Sequence, residues 1–142
     1  MTSTQKLRDR RMAYALLRVF LGVNIALHGV SRLWAGGFQG KIEAQFAQAP
    51  LPHGAVAAFA VVLPWAEALL GVLILLGAAT RVALIGGTVV MIVLTFGSSL
   101  VQDWPAAGIQ LVYAIAYALL LFLRGYNGWS VDAWVGRREG SR

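Results

Sequence analysis

The stretch RVFLGVNIALHGVSRLWAGG, Arg18–Gly37, is apolar enough to cross a bilayer, yet it holds Arg18, Asn24, His28 and Arg32. At 100° per residue these four and Gly22 fall within an arc of roughly 160°. The rest of the helix surface is almost all Leu, Val, Phe, Ala and Ile. A charged side chain at the bilayer centre costs about 2.5–3.5 kcal/mol on insertion scales. Polar groups gathered on one side of a lipid-compatible helix therefore predict a bundle, in which that side meets other helices and the remainder meets acyl chains.

The flanking sequence repeats the pattern. Of the 142 residues, 58% are hydrophobic and 13% charged, about half the charge content of an ordinary soluble domain. A hydrocarbon core of about 30 Å needs about 20 residues of helix. Four segments qualify, about residues 12–34, 54–77, 81–101 and 105–123. They predict an all-α, membrane-embedded four-helix bundle over residues 12–124, with basic tails at 1–11 and 125–142. The long connection Ala35–Gly54 is bounded by glycines and by Pro50 and Pro52. Within it Phe38, Ile42 and Phe46 recur every four residues, so a short amphipathic helix is expected there, with an ordered loop as the alternative. GAATR, Gly77–Arg81, and QDWPAAG, Gln102–Gly108, read as turns, with Pro105 in a helical first turn. Trp34, Trp104, Trp129 and Trp134 fall at predicted ends, where interfacial aromatics belong.

The formal charge of +6 does not point to nucleic acid, because the cations sit in tails and turns. Lys6, Arg8, Arg10, Arg11, Arg81, Arg124, Arg137, Arg138 and Arg142 share one side of the predicted topology. Arg32 and Lys41 share the other. The bias predicts both termini in the cytoplasm. The first segment has a basic start but exceeds a signal-peptide core and has no clean small-residue cleavage site, so it is expected to remain as an anchor. With no cysteine, disulfides, thiolate nucleophiles and thiolate metal ligation are excluded.

Glu67 is the one acid inside a predicted span. Aligning the cytoplasmic ends of the first two helices sets Arg18 and Glu67 roughly 6 Å apart in depth. A buried Arg18–Glu67 ion pair is expected, serving either as structural glue or in function. Gly71, four residues on, leaves room for close helix contact. The third helix carries Thr88, Thr95, Ser99 and Gln102 on one face, and the fourth carries Gln110, Tyr113, Tyr117 and Arg124. Four polar stripes converging predict a polar-lined interior. His28 either hydrogen-bonds a helix carbonyl or meets a ligand, and Tyr113 and Tyr117 either pack or take part in the site. His28 and His53 are the only histidines and differ in depth, so neither haem nor another metal centre is expected. No phosphate loop, HExxH, nucleophile elbow or carboxylate dyad occurs.

RVFLGVNIALHGVSRL, PWAEALLGVLILLGAATRVAL, QDWPAAGIQLVYAIAYALLLFL and NGWSVDAW together resemble the DoxX/DoxD family of small four-helix membrane proteins. Arg18, His28–Gly29, Arg32, Glu67, Gly71, Thr80–Arg81, Asn127, Ser130 and Asp132 carry the resemblance by order and spacing. The QxxYxxxY run and SVD tail look closer to the DoxD branch. That branch implies the small membrane subunit of a thiosulfate:quinone oxidoreductase, in a bacterial or archaeal plasma membrane, acting with a second subunit and not catalytic alone. A quinone is then the expected ligand, with His28, Arg32, Asn24, Gln110, Tyr113 and Tyr117 as candidate binding residues. A non-catalytic scaffold that docks a partner, or a homo-oligomer, is the alternative. A transporter of a small solute or protons would need a broken helix, for which Pro64 is the sole candidate.

Overall fold

The computed structural model describes residues 2–139; Arg142, counted above among the basic residues, lies outside them. Those residues form α1 (Ser3–Ala35), α2 (Phe38–Gln45), α3 (His53–Leu76), α4 (Thr80–Leu100), α5 (Trp104–Phe122), a 3₁₀ turn (Arg124–Tyr126) and α6 (Val131–Glu139). Helices α1, α3, α4 and α5 are each long and apolar enough to span a bilayer. The spans run up and down, so the N-terminus and the segment after α5 meet at one end, where Arg10 Nη1 donates to the Tyr126 hydroxyl at 2.9 Å. Outward side chains such as Leu16, Phe20, Val82 and Val112 are largely exposed, as lipid-facing residues of a bundle must be. The four tryptophans at the helix ends are likewise exposed.

The first helix begins nine residues before the expected Met12. Thr2 closes a capping box with Gln5, so helix formation starts well ahead of the apolar run. Its 33 residues extend about 50 Å at 1.5 Å per residue, longer than a hydrocarbon core, and the basic first turns stand clear of it. The expected amphipathic helix exists as α2. Phe46, just past its end, packs toward Gly97 of α4, and its Phe38 ring lies 4.8 Å from the Arg32 guanidinium carbon. Helix α3 runs unbroken through Pro64.

The most extensive packing joins α1 to α3, and glycines make it possible. Gly22 lies against the backbone of Leu75, Gly29 against Ala68 and the Pro64 carbonyl, and Gly71 against Ala26. A Cβ at any of the three would meet backbone that cannot move aside, so the helices approach to a distance only glycine allows. Helices α4 and α5 form the second close pair, where the Tyr117 ring fills the space over Gly87. Helices α1 and α5, by contrast, meet along a thin seam.

The segment following α5 is not a free tail. Arg18, only 4% exposed, donates to the Ile74 carbonyl at 2.7 Å, the Leu75 carbonyl at 2.5 Å and the Trp129 carbonyl at 2.8 Å. It thus caps the C-terminus of α3, where a cation is favoured by unpaired carbonyls and the helix dipole. Gly77, with φ of 66°, ends that helix in the left-handed conformation and lies close against Ser130 and Arg18. Residue Ala79 at the start of α4 has no side chain to cap it. The Asp132 carboxylate does so from 53 residues away, accepting from the Ala79 N–H at 2.8 Å and the Thr80 N–H at 2.8 Å. Asn127 donates to the Thr80 hydroxyl at 3.1 Å. The two motifs GAATR and NGWSVD are therefore one docked structure.

What burial Asp132 has raises its carboxyl pKa, but the hydrogen bonds from Thr80 and Ala79, with the Arg124 cation, outweigh this and hold it below the usual value. A depressed native pKa stabilises the fold above the unfolded value of about 3.9. The contribution is lost as the pH falls through the lower native value. Asp132→Asn is expected to lower the thermal midpoint at neutral pH, and the gap to wild type should close as the pH drops below about 4. Asp132→Ala, which removes the cap, should cost about 1 kcal/mol at neutral pH. Melting in detergent over that pH range checks both.

Candidate functional site

Glu67 faces the bundle interior and is 2% exposed, as a lone intramembrane acid should be. Its partner, however, is Arg32, whose Nη1 donates to Glu67 Oε2. The expected Arg18–Glu67 pair does not form. The contacts of Gly22 with Leu75, Ala26 with Gly71 and Gly29 with Ala68 set a constant register that brings Glu67 level with Val30. Arg18 then lies about 18 Å away along the helix at 1.5 Å per residue, level with the α3–α4 turn. Arg32, two residues beyond Val30, reaches back to the carboxylate. The Phe38 ring lies beside its guanidinium, a favourable cation–π arrangement.

Around this pair the four spans leave a cavity of about 160 Å³ lined by His28, Arg32, Glu67, Gln110 and Tyr113, with Ile25, Met91, Leu94, Ala106 and Ile109 as its apolar wall. Five polar residues from three helices thus converge in the half of the bundle on the α2 side. Asn24 supports the cavity from behind, its Oδ1 accepting from the Tyr113 hydroxyl at 2.7 Å. The His28 ring meets Tyr113 edge-on, with centroids 6.4 Å apart.

His28 does not turn wholly inward as expected: it is exposed at the α1–α5 seam. Its Nδ1 lies 2.9 Å from the Asn24 carbonyl of its own helix. With a proton on Nδ1 to make that bond, a neutral imidazole keeps Nε2 as a free acceptor. Ser31 is also satisfied locally, donating to the His28 carbonyl at 3.1 Å. Gln110 Nε2 donates to Ser98 Oγ at 2.9 Å, while its Oε1 is buried without a partner. Tyr117 does not line the cavity; it is 1% exposed and packs in the core over Gly87. Thr88 and Ser99 bond back to their own helix and do not form a stripe toward the site. His53 lies at the start of α3 beside Glu43 of α2, apart from His28.

Two contributors escaped the sequence reading. Ser98, neighbour of the Ser99 on the expected stripe, sits twelve residues before Gln110 across a short turn. Phe38 belongs to the apolar stripe of α2, and nothing local marks it as a neighbour of Arg32.

What the cavity offers is a mixed set: hydrogen-bond donors on Arg32, acceptors at His28 Nε2 and Gln110 Oε1, and a carboxylate neutralised by its guanidinium. An apolar wall surrounds them, and the thin seam opens toward lipid. Four apolar spans around an internal ion pair define a multi-pass integral membrane protein. The DoxX family model matches residues 13–99, and the chain belongs to that family. The match runs from Ala13 within α1 to the last turn of α4, and takes in Arg18, His28, Arg32, Glu67, Gly71 and Thr80. Helix α5 and the Asn127–Asp132 segment lie beyond it. Neither a curated protein nor a solved structure matches the chain.

Proposed function

We propose that the chain is a membrane subunit of a redox complex and binds a quinone headgroup in the cavity between α1, α3, α4 and α5. The observation that carries the reading is that Gln110, whose Oε1 has no partner, and His28, whose Nε2 is free, line one cavity. A buried orphan acceptor costs about 1–3 kcal/mol, and a ligand hydroxyl would relieve it. A quinone, when bound, supplies two-electron chemistry coupled to proton uptake at its two oxygens. The residues present fit its reduced form, whose hydroxyls are donors and need acceptors. Arg32 retains N–H groups for the oxidised form's carbonyls, and His28 is placed to take or return a proton. A cavity of about 150 Å³ holds one benzene ring, so this cavity of about 160 Å³ suits a single-ring headgroup with its tail leaving through the seam. Resemblance to the DoxD subunit of thiosulfate:quinone oxidoreductase agrees with this reading and adds a second subunit as partner. The basic end, with both termini, would then face the cytoplasm of a bacterial or archaeal cell.

Short-tailed benzoquinol binding to the purified chain in nanodiscs tests the proposal. Wild type should bind. His28→Ala and Gln110→Leu should each weaken binding about tenfold, within the cost of one buried hydrogen bond. Gln110→Leu should change the thermal midpoint little, since removing the orphan offsets the lost bond to Ser98. Absent binding by wild type, or wild-type affinity retained in both variants, rejects the reading.

The scaffold reading has its own support. Arg18, Gly71, Gly77, Thr80, Asn127 and Asp132 all act in intramolecular packing and capping. If the chain is a scaffold, Glu67→Gln reduces abundance or partner retention and leaves no separable effect on quinol affinity.

A further inference from the structure

The α1–α5 seam has a second opening, at the end where the termini meet. There a groove of about 500 Å³ is lined by Arg10, Tyr14, Leu17, Leu119, Leu123 and Tyr126. Its composition is graded along the helix axis. Leu17, Leu119 and Leu123 form an apolar floor running toward the membrane centre, and Arg10 stands at the mouth. Tyr126 holds that arginine: its hydroxyl accepts from Nη1 at 2.9 Å, and its ring centroid lies 5.6 Å from the guanidinium carbon. The other N–H groups of Arg10 have no acceptor among the described residues. Arg124, next in the chain to Leu123, forms no salt bridge among the described residues and acts on Tyr14 and Asp132 only at longer range. A positioned cation above an apolar channel, opening toward the lipid, matches a phosphate with an acyl chain below it.

We propose that this groove is a binding site for an anionic phospholipid, its phosphate held by Arg10 and Arg124 and one acyl chain lying along Leu17, Leu119 and Leu123. The site is independent of the quinone reading. Charge complementarity selects the anionic class: the arginine-rich end attracts negative headgroups at about 1 kcal/mol per cation near the surface. Helix α6 strengthens the placement. Its Trp134 and Val135 are exposed beside Arg137 and Arg138, and the Arg138 guanidinium carbon lies 3.7 Å from the Trp134 ring centroid, an arrangement suited to the headgroup layer.

Native mass spectrometry of the full chain, loaded with phosphatidylglycerol or with phosphatidylcholine of the same chains, tests the site. Wild type should retain phosphatidylglycerol in preference. Arg10→Gln and Arg124→Gln should each reduce that retention about fivefold. Ala13→Trp, at an exposed position lining the groove, should displace the lipid while leaving both arginines in place. Soluble glycerophosphate should not compete, because it lacks the chain. Equal retention of the two lipids overturns the proposal. So does loss in the arginine variants without loss in Ala13→Trp, which would mean surface attraction without a groove. Retention of a polypeptide in the groove in place of lipid overturns it as well.

Discussion

Gly71→Ala is expected to be among the most damaging single substitutions in this protein, although it adds only one methyl group. In an exposed helix interior the same change stabilises by about 1 kcal/mol, because alanine is the better helix former. Here the new Cβ would lie 2.5 Å from the Ala26 Cα and closer still to the Ala26 nitrogen. Those atoms belong to helix backbone, which can yield only if α1 moves away. Movement at Gly71 also opens the contacts at Gly22 and Gly29, since all three lie in one seam. It draws Arg32 from Glu67 as well. Overpacking of a well-packed core costs about 1–3 kcal/mol, occasionally more, and the loss at this seam should fall at or above the upper end. Gly108→Ala is the internal control. Gly108 lies within α5 with nothing in the space a Cβ would occupy, so that variant should melt at or slightly above wild type. Unfolding in mixed SDS micelles, run on both, measures the contrast. Equal midpoints would mean that the α1–α3 seam does not hold the bundle together.

The same glycines explain what could be read in advance and what could not. Hydropathy alone is sufficient to find four spans, because each must fill the bilayer with apolar residues whatever its neighbours are. The inward turn of Glu67 follows from the cost of a charge in lipid. Its partner does not, because a partner depends on register between helices. Predicted helix ends do not coincide with real ones, since α1 starts at Thr2's capping box and not where the apolar run begins. A signal for the true register was present: Gly22, Ala26 and Gly29 match Leu75, Gly71 and Ala68 when the helices run antiparallel, with a small residue in every pair. That match sets Glu67 beside Val30 and within reach of Arg32. The candidate cavity was legible as far as it rested on stripes. Gln110 and Tyr113 share a face of one helix, and His28 and Arg32 share a face of another. Tyr117 follows the same stripe but lies deeper, against Gly87, where no room remains. Asp132 could not have been recognised as the cap of α4 from its own surroundings. The only local hint was an N-terminus beginning at Ala79 without a capping side chain.

Arg32→Leu should produce the second large effect, and its pairing with Glu67 allows structural and functional roles to be separated. Removing the guanidinium leaves a buried carboxylate with no neutralising partner. Breaking one half of a buried pair costs about 3–5 kcal/mol, comparable to a charge placed in the bilayer centre. The single variant should therefore lose most of its folded population in detergent. Glu67→Leu combined with Arg32→Leu should restore a thermal midpoint close to wild type, because replacing both members with apolar groups is often neutral or stabilising. Quinol affinity provides the second readout. If the pair serves only to hold α1 on α3, the double variant recovers binding along with stability. If Arg32 donates to the ligand, the double variant folds but stays weak. Failure of the double variant to regain stability would instead mean that the chief contribution of Arg32 lies elsewhere, in its contact with Phe38 and the placement of α2 over the end of the bundle.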